Sequence, residues 1–392
     1  MQNFIYNTPT KIFFGKNQED KLAEILKSYN IKKVLLHYGM SSIKRSGLYD
    51  KVVNALNEAK IEFCELGGVS ANPKLSLVLK GVEIAKKENV DLILAVGGGS
   101  VIDSAKSISV GCKVSFNPWL FQIKEKTPSE HLPVGVILTI AAAGSEMSNS
   151  CVITNDETKE KRGFTSECNR PLFAIMNPEL TYSVSPYQTA CGITDIMMHT
   201  LERYFSQGED TKITDNIALG LLKAVHDEGL KVIKNPNDYE ARANLMWASS
   251  LSHNGLTGCG RSFTMSVHQL EHELSGMYDN IAHGAGLAVL WPAWAINSYK
   301  ASPNRFAKFA YEVMQIEKTD NILDDALNGI LALKAYFKEI GMPTSLKELN
   351  VDENTLEALA YNTMFKGKRT LHDIVEVDYN LALKIYKDAM YN

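Results

Sequence analysis

The period of the hydrophobic positions changes about halfway along the chain. Before residue 185, short apolar runs alternate with stretches in which apolar residues recur every three or four positions. The runs predict buried strands and the stretches predict amphipathic helices. Helices are expected near 22–26, 48–58 and 75–88. Strands are expected at two short runs within 4–15, the first at the N-terminus, and at 33–37, 61–64, 90–96, 132–139, 151–154 and 173–176.

Strands that alternate with helices are typical of a parallel sheet with helices on its faces. The run at 90–96 is continuously apolar, which indicates a central strand covered on both sides. After about Pro186, helical periodicity dominates. The sequence therefore predicts an α/β domain over 1–185 and an all-helical domain over 186–392. The helices of the second domain are expected at 187–206, 212–233, 239–255, 263–275, 285–298, 303–315, 322–339 and 379–390.

The predicted central strand leads into three glycines, Gly97–Gly99, followed by Ser100 at the start of a helix. Glycines let a phosphate approach the backbone closely, and the helix N-terminus supplies free amides. The spacing is not Gly-x-Gly-x-x-Gly, so it does not predict a standard Rossmann domain. A glycine turn needed only for packing is the alternative. Asp103, in the first helical turn, is placed to cap amides or to touch a ligand.

Histidines and one aspartate are concentrated in three short segments of the second half. Asp195 and His199 are four residues apart, which places both side chains on one face of a helix. His268 and His272 repeat this spacing, and His283 lies in a predicted glycine-bracketed loop. Carboxylate and imidazole groups are common ligands of divalent metals. The pattern predicts one metal held by Asp195, His199 and two of the other three histidines; scattered core and surface histidines are the alternative.

Composition excludes several other classes of protein. The 392 residues carry a net charge of −4, so no basic field attracts nucleic acid or anionic lipid. No run of 18 apolar residues predicts a membrane span, and the N-terminus lacks the pattern of a signal peptide. The six cysteines form no Cys-x-x-Cys pair, which favours reduced thiols and a cytoplasmic location.

Several motifs taken together resemble the iron-containing (group III) alcohol dehydrogenases, and in particular their butanol dehydrogenase branch. They are Gly97-Gly-Gly-Ser-Val-Ile-Asp-Ser-Ala-Lys106, Ala143-Gly-Ser-Glu146, Gly192-x-x-Asp195-x-x-x-His199, His268-x-x-x-His272 and His283-Gly-x-Gly-Leu-Ala288. The resemblance implies an α/β nucleotide-binding domain with a parallel sheet like that of dehydroquinate synthase, an all-α metal domain, and assembly as a homodimer.

The implied activity is hydride transfer between NAD(P)H and a short-chain primary aldehyde or alcohol, such as butanal or butanol. A glycerol or diol dehydrogenase of the same superfamily is the nearest alternative. A lyase or cyclase of the dehydroquinate synthase type is more distant, since it would need basic residues around the metal and few are present. The non-enzyme alternative is an inert sensor that binds metal and nucleotide without turnover.

The resemblance also implies the roles of individual residues. Asp195, His199, His268 and His283 would bind Fe²⁺ or Zn²⁺, and His272 would relay a proton near the substrate. Asp103 would lie close to the nicotinamide or the substrate. The expected cofactor contacts are Gly39, Ser41, Ser42, Gly97, Gly98, Gly99, Ser100, Thr139, Lys161 and Leu180. Segment 38–44 holds hydroxyls and a lysine but no carboxylate, which favours NADPH over NADH.

Overall fold

A computed structural model describes residues 1–208 and 210–391 of the chain. The chain forms two compact units. One unit is Asn7–Val184, and the other consists of Met1–Tyr6 together with the chain from Ser185 onward. Each unit has its own secondary-structure class, α/β in the first and predominantly helical in the second.

The α/β unit is built on a six-stranded parallel sheet. The order of its strands is β1-β8-β5-β4-β2-β3. β4 lies in the interior of the sheet and every one of its residues is buried, as its continuous apolar sequence predicts. Two further strands, β6 and β7, pair as an antiparallel hairpin. The strands are β1 (Lys11–Phe14), β2 (Lys33–Gly39), β3 (Glu62–Val69), β4 (Leu92–Gly97), β5 (Val134–Leu138), β6 (Ser150–Thr154), β7 (Lys161–Thr165) and β8 (Phe173–Met176).

Six α-helices belong to this unit. α5 is the most buried of them, since all residues from Ser104 to Gly111 are buried, and it begins directly after the glycine run. The helices are α1 (Leu22–Ser28), α2 (Ser42–Arg45), α3 (Leu48–Glu58), α4 (Leu75–Glu88), α5 (Gly99–Gly111) and α6 (Trp119–Gln122). Short 3-10 helices cover Gln18–Lys21, Glu167–Asn169 and Pro178–Thr181.

The helical unit packs its helices around a core that contains Trp291, Trp294 and Phe306. Its helices are α7 (Pro186–Tyr204), α8 (Lys212–Lys234), α9 (Tyr239–His253), α10 (Ser266–Met277), α11 (His283–Ser298), α12 (Pro303–Glu312), α13 (Ile322–Glu339), α14 (Leu356–Thr363) and α15 (Tyr379–Asp388). Short 3-10 helices cover Leu256–Gly258, Tyr299–Ala301 and Glu353–Thr355. Across the described residues, no helix combines the length and the apolarity that a bilayer span requires.

The predicted fold class, a parallel α/β unit followed by a helical unit, is confirmed, but several elements differ. Of the two runs expected within 4–15, only Lys11–Phe14 forms a strand. Met1–Tyr6 belongs to the helical unit, where the Gln2 amide donates to the Gly260 carbonyl. The helical unit also contains a small antiparallel pair, β9 (Leu371–His372) with β10 (Glu376–Val377). Neither α6 nor α14 had a predicted counterpart.

Candidate active site

α7 provides the first two predicted metal ligands. Pro186 begins the helix, and the Ser185 hydroxyl accepts from the Gln188 amide, so the start of α7 is capped. The four-residue spacing then places Asp195 and His199 on one face, and both are about 4% exposed. Two polar side chains buried side by side in a helix require partners, which the next elements supply.

α10 and α11 bring two more imidazoles to the same place. Nε2 of His268 lies 3.6 Å from Oδ1 of Asp195, and Nε2 of His283 lies 3.8 Å from the same oxygen. The His268 ring is 4.4 Å from the His199 ring, centroid to centroid, and 5.3 Å from the His283 ring. The structure therefore brings Asp195, His199, His268 and His283 together in one cluster.

A close helix contact explains the position of His283. The sequence placed this residue in a loop, but it is the first residue of α11. A Cβ atom on Gly284 would lie 2.3 Å from the carbonyl oxygen of Cys191 in α7, so only glycine permits this approach of the two helices. The glycine next to His283 thus allows the imidazole to reach Asp195.

Every imidazole in the cluster is held through its Nδ1 atom. Nδ1 of His199 lies 3.0 Å from the carbonyl oxygen of Asp195 and is hydrogen bonded to it. Nδ1 of His268 is hydrogen bonded to Oε2 of Glu202, and Nδ1 of His283 to Oε2 of Glu271. Since carbonyl and carboxylate oxygens accept, each Nδ1 donates, and Nε2 is the ring nitrogen left to bind a metal. This arrangement is typical of imidazoles that bind a metal through Nε2.

Buried polar atoms without partners mark the centre of the cluster. Oδ1 of Asp195 and Nε2 of His268 are buried, and neither has a hydrogen-bond partner among the described residues. Although Oδ1 of Asp195 lies 3.0 Å from Nδ1 of His199, that nitrogen is hydrogen bonded to the carbonyl oxygen instead. Buried polar groups normally find partners, so a divalent cation fits the donor set that converges here.

The electrostatics of the cluster also favour a cation. Burial opposes ionisation of Asp195, yet the neighbouring His199, His268 and His283 hold the pKa of its carboxyl well below the usual range. Burial lowers the pKa of the His199 imidazole to about 4. For His268, burial acts downward, but the Glu202 and Asp195 carboxylates raise the pKa to about 9. The cluster thus contains an ionised acid, which attracts positive charge.

His272, the predicted proton relay, lies beside the cluster. Its ring is 6.3 Å from the His268 ring and 5.6 Å from the His283 ring, and it is partly exposed. Glu271, His272 and His283 form a second group whose possible ligand atoms lie within 4.8 Å of one another. Because Nδ1 of His283 is bonded to Glu271, this second group supports the first cluster.

Sequence reasoning missed the residues that surround these ligands. Glu202 and Glu271 are three residues after His199 and His268, and both are fully buried. A carboxylate inside an apolar helical segment, one turn from a predicted ligand, was the available signal. Arg203 and His253 were also missed; the His253 ring lies edge-on to the His199 ring at 4.0 Å.

At the other predicted site, the glycine run lies at the carboxyl ends of the central strands of the α/β unit. Gly97 ends β4, and its carbonyl accepts from the amide of Thr139, just after β5. A Cβ atom on Gly39, the last residue of β2, would lie 3.9 Å from a methyl group of Val101 in α5. The structure therefore brings Gly39, Gly97–Ser100 and Thr139 to one edge of the sheet, where ligands bind in open α/β sheets.

The turn after Thr139 lies over the glycines. A Cβ atom on Gly98 would lie 2.2 Å from a methyl group of Ile140. Gly99 is the first residue of α5, so its neighbours supply free helix amides. Leu180 follows β8 and packs partly buried against the core of the α/β unit. Free backbone amides at a helix start suit a phosphate group.

Asp103 is held firmly on α5. Its Oδ1 atom accepts from the Ser145 hydroxyl at 2.5 Å, and its Oδ2 atom accepts from the Val152 amide at 2.9 Å. Burial raises the pKa of its carboxyl, and the charges of Lys106 and Lys161 act in the opposite direction. Lys161, the first residue of β7, is therefore electrostatically linked to Asp103. The contact of either residue with a cofactor stays a prediction.

The segment after β2 carries no carboxylate but lies near one. Ser41 accepts from the Arg45 guanidinium, and Ser42 begins α2. That acid is Glu65 on β3, which accepts from the hydroxyls of Tyr38 at 2.9 Å and Tyr49 at 2.7 Å. With two phenols bound to it, Glu65 is engaged inside the α/β unit, and the Lys44 ammonium lies over the rings of the same two tyrosines.

The whole chain also matches known proteins. The family model described as "Iron-containing alcohol dehydrogenase" matches residues 9–178, and "Fe-containing alcohol dehydrogenase family, C-terminal" matches residues 189–390. The chain is 40% identical to NADH-dependent butanol dehydrogenase A of Clostridium acetobutylicum over 390 residues, 99% of this chain and 100% of that protein. It is 33% identical to NADPH-dependent aldehyde reductase YqhD of Escherichia coli, covering 99% of this chain and 100% of that protein. Among solved structures, NADH-dependent butanol dehydrogenase A of Thermotoga maritima superposes with a TM-score of 0.95 at 38% identity, covering 100% of this chain and 99% of the other.

Proposed function

Because the chain belongs to the iron-containing alcohol dehydrogenase family, we propose that it interconverts short-chain primary aldehydes and alcohols, such as butanal and butanol. It is an oxidoreductase that acts on CH–OH groups and uses a nicotinamide nucleotide as hydride carrier. The observation that supports metal-dependent chemistry is that three imidazoles surround the Asp195 carboxylate, whose Oδ1 atom has no hydrogen-bond partner among the described residues.

Asp195, His199, His268 and His283 would hold the divalent metal, either Fe²⁺ or Zn²⁺, since nitrogen-rich sites accept both. The donor set fits: two buried ligand atoms have no hydrogen-bond partner among the described residues, and each Nδ1 is already engaged. When bound, the metal would supply Lewis acidity toward the oxygen of the carbonyl or alcohol.

The remaining residues of the cluster orient the ligands and handle the proton. Glu202 and Glu271 fix the rings of His268 and His283 and raise the basicity of their Nε2 atoms. His272 stands one helical turn from His268 and is partly exposed, so its imidazole is placed to exchange a proton with solvent. We assign it the role of proton relay between the substrate oxygen and water.

The glycine run Gly97–Gly99 with Ser100 would bind the pyrophosphate of the nucleotide. Free amides at the start of α5, reached by a ligand across glycines that lack side chains of their own, support this assignment. Gly39 ends β2, and Thr139 and Leu180 follow β5 and β8; in the sheet β8 lies next to β5, and β4 lies between β5 and β2. These three residues would line the rest of the nucleotide site. Asp103 and Lys161 would lie toward the nicotinamide.

We propose NADPH as the preferred nucleotide. Ser41, Ser42, Lys44 and Arg45 offer hydroxyls and positive charge to a 2′-phosphate, and no carboxylate occurs in 38–45. The named relatives include both NADH-dependent and NADPH-dependent enzymes, so the choice depends on this segment. Met40→Asp is expected to shift the ratio of kcat/KM for NADPH over NADH toward NADH. An unchanged ratio would exclude this segment as the selector.

We propose a homodimer in the cytoplasm. Large apolar side chains are exposed at the N-terminus, Phe4 by 52% and Ile5 by 97%, which supports burial against a second copy. All six cysteines are free, as in proteins of a reducing compartment. Light scattering of the wild type and of Ile5→Asp tests the homodimer: the wild type is expected to have the mass of a dimer and the variant that of a monomer.

An assay of NADPH consumption with butanal tests the main proposal. Turnover is expected to disappear when a chelator removes the metal and to return when Fe²⁺ or Zn²⁺ is restored. His268→Ala is expected to lose metal and turnover together, whereas His226→Ala, which removes a histidine of α8 bonded to Asp227, is expected to retain both. Full activity of His268→Ala at wild-type metal content would refute the ligand assignment.

The same assay separates the alternatives. Oxidation of glycerol and 1,3-propanediol tests whether the protein is a diol dehydrogenase. A higher kcat/KM for these diols than for butanol would contradict the proposed substrate class. Metal and nucleotide binding without turnover on any of these substrates would identify an inert sensor.

A further inference from the structure

Arg203 is a buried cation directly behind the predicted metal ligand His199. It lies one turn after His199 on α7 and is 5% exposed. Nη1 donates to the carbonyl oxygen of His199 at 2.5 Å and to that of Ser252 at 3.1 Å. Nη2 donates to Nδ1 of His253 at 3.4 Å, and the ring of His253 in turn lies against the ring of His199. The guanidinium is thus attached to the metal ligand on two sides.

The charge of Arg203 has no carboxylate at hydrogen-bonding distance. Its hydrogen-bond acceptors, two carbonyl oxygens and one neutral ring nitrogen, are all uncharged, and within 1–208 and 210–391 no acid forms an ion pair with it. A guanidinium keeps its proton at any ordinary pH. The two carbonyls lie near the C-terminal ends of α7 and α9, where a cation is favourable. That location explains how the buried charge is tolerated.

The charges of Asp195, of the two acids bonded to its histidine neighbours, of a divalent metal and of Arg203 sum to zero. Asp195, Glu202 and Glu271 contribute three negative charges, and the imidazoles are neutral when they bind a metal through Nε2. A divalent cation leaves a net charge of −1, and Arg203 brings the sum to zero. A buried cluster with net charge is unfavourable, so the guanidinium completes the set.

We propose that Arg203 is a positioning residue that acts through its permanent charge on the metal site of the helical unit. It weakens the binding of the divalent cation and, by the same field, makes the bound cation a better acceptor for a negatively charged oxygen or nitrogen ligand. The inference rests on the metal site proposed above. It concerns how strongly the site polarises its substrate, which the identity of the four ligands alone does not determine.

Cobalt binding and azide binding test this inference without reference to turnover. The metal-free protein is titrated with Co²⁺ in competition with a chromophoric chelator, and azide is then titrated into the Co²⁺ protein while the visible absorption of the metal is recorded. Arg203→Gln is expected to bind Co²⁺ at least about tenfold tighter and azide about tenfold more weakly. This size is expected when a unit charge within about 10 Å of a divalent ion is removed. Arg203→Lys keeps the charge and is expected to stay within about twofold of the wild type in both titrations.

Arg305→Gln is the matched control. Arg305 also donates to a carbonyl at the end of α7, that of Tyr204, but unlike Arg203 it forms an ion pair with an acid, Asp215, at 2.7 Å, which it shares with Arg261. Its replacement is expected to leave both affinities within about twofold of the wild type. Thermal melting of the metal-free proteins checks folding, and Arg203→Met replaces Arg203→Gln if the latter unfolds.

Unchanged Co²⁺ and azide affinities in the neutral variants would overturn the inference, as would Arg203→Lys behaving like Arg203→Gln. A wild-type protein that binds no Co²⁺ would instead overturn the proposed metal site, on which the inference depends. Opposite shifts of the two affinities in the neutral variants alone would support it.

Discussion

Replacing Glu202 by glutamine removes one negative charge from the cluster and changes almost nothing in shape. Glu202 is buried, and its Oε1 atom accepts from the Val267 amide at 2.6 Å and from the His268 amide at 3.3 Å. Its Oε2 atom holds Nδ1 of His268. Glutamine keeps an oxygen for the helix amides but loses the charge-assisted bond to the imidazole. Such a bond contributes about 1.5–3 kcal/mol, which corresponds to a loss of roughly 10- to 100-fold in metal affinity.

Competition titration of the metal-free Glu202→Gln protein with Co²⁺ measures this loss. Asp373→Asn is the matched control: Asp373 is also buried and accepts from the Thr264 and Ser266 amides at the start of α10, but it does not touch His268. It is expected to lower the melting temperature while leaving Co²⁺ affinity within about threefold of wild type. Equal affinity of Glu202→Gln and the wild type would refute the reasoning, as would an equal loss in Asp373→Asn.

Two further predictions concern stability. His37 bonds to the Leu66 carbonyl and to Ser104, and burial lowers its pKa to about 4 from 6.5. Between these two pH values the unfolded chain binds more protons than the folded protein. The free energy of unfolding therefore falls as the pH drops through that window. We expect a loss of roughly 3 kcal/mol between pH 7.5 and 4 that His37→Gln lacks, measured by urea unfolding; parallel curves for the two proteins would contradict it. Gly284→Ala forces a Cβ against the Cys191 carbonyl and is expected to lower the free energy of unfolding by about 1–3 kcal/mol and to weaken Co²⁺ binding. The control Gly220→Ala on α8 places its Cβ in open space and should not destabilise the protein. Equal effects of the two changes would show that α7 and α11 do not pack tightly at Gly284.

The parts of the fold that follow from local periodicity were predictable from the sequence. The apolar run at 90–96 became β4, the interior strand, and the four-residue spacing of Asp195 and His199 placed both on one face of α7. Met1–Tyr6 was predicted wrongly as a strand because its apolar residues resemble one, although they find no sheet partner among the described residues. A strand depends on its neighbours, which a local pattern does not contain.

The supporting groups of the candidate site depend on contacts between distant segments, so the sequence did not reveal them. Glu202 reaches His268 across 66 residues, and Arg203 reaches His253 across 50. His283 was expected in a loop because two glycines follow it closely. One of them, Gly284, instead permits close packing of α11 on α7. The role of this glycine, which is to let two helices pack closely rather than to form a turn, is visible only once the helices are packed.

Anomalous diffraction from crystals of the native protein, collected at the iron and zinc absorption edges, tests the central claim most directly. The account predicts one strong peak bounded by a carboxylate oxygen of Asp195 and by Nε2 of His199, His268 and His283, at metal–ligand distances of about 2.0–2.2 Å. No peak in a protein that reduces butanal, or a peak bound by other residues, would contradict it.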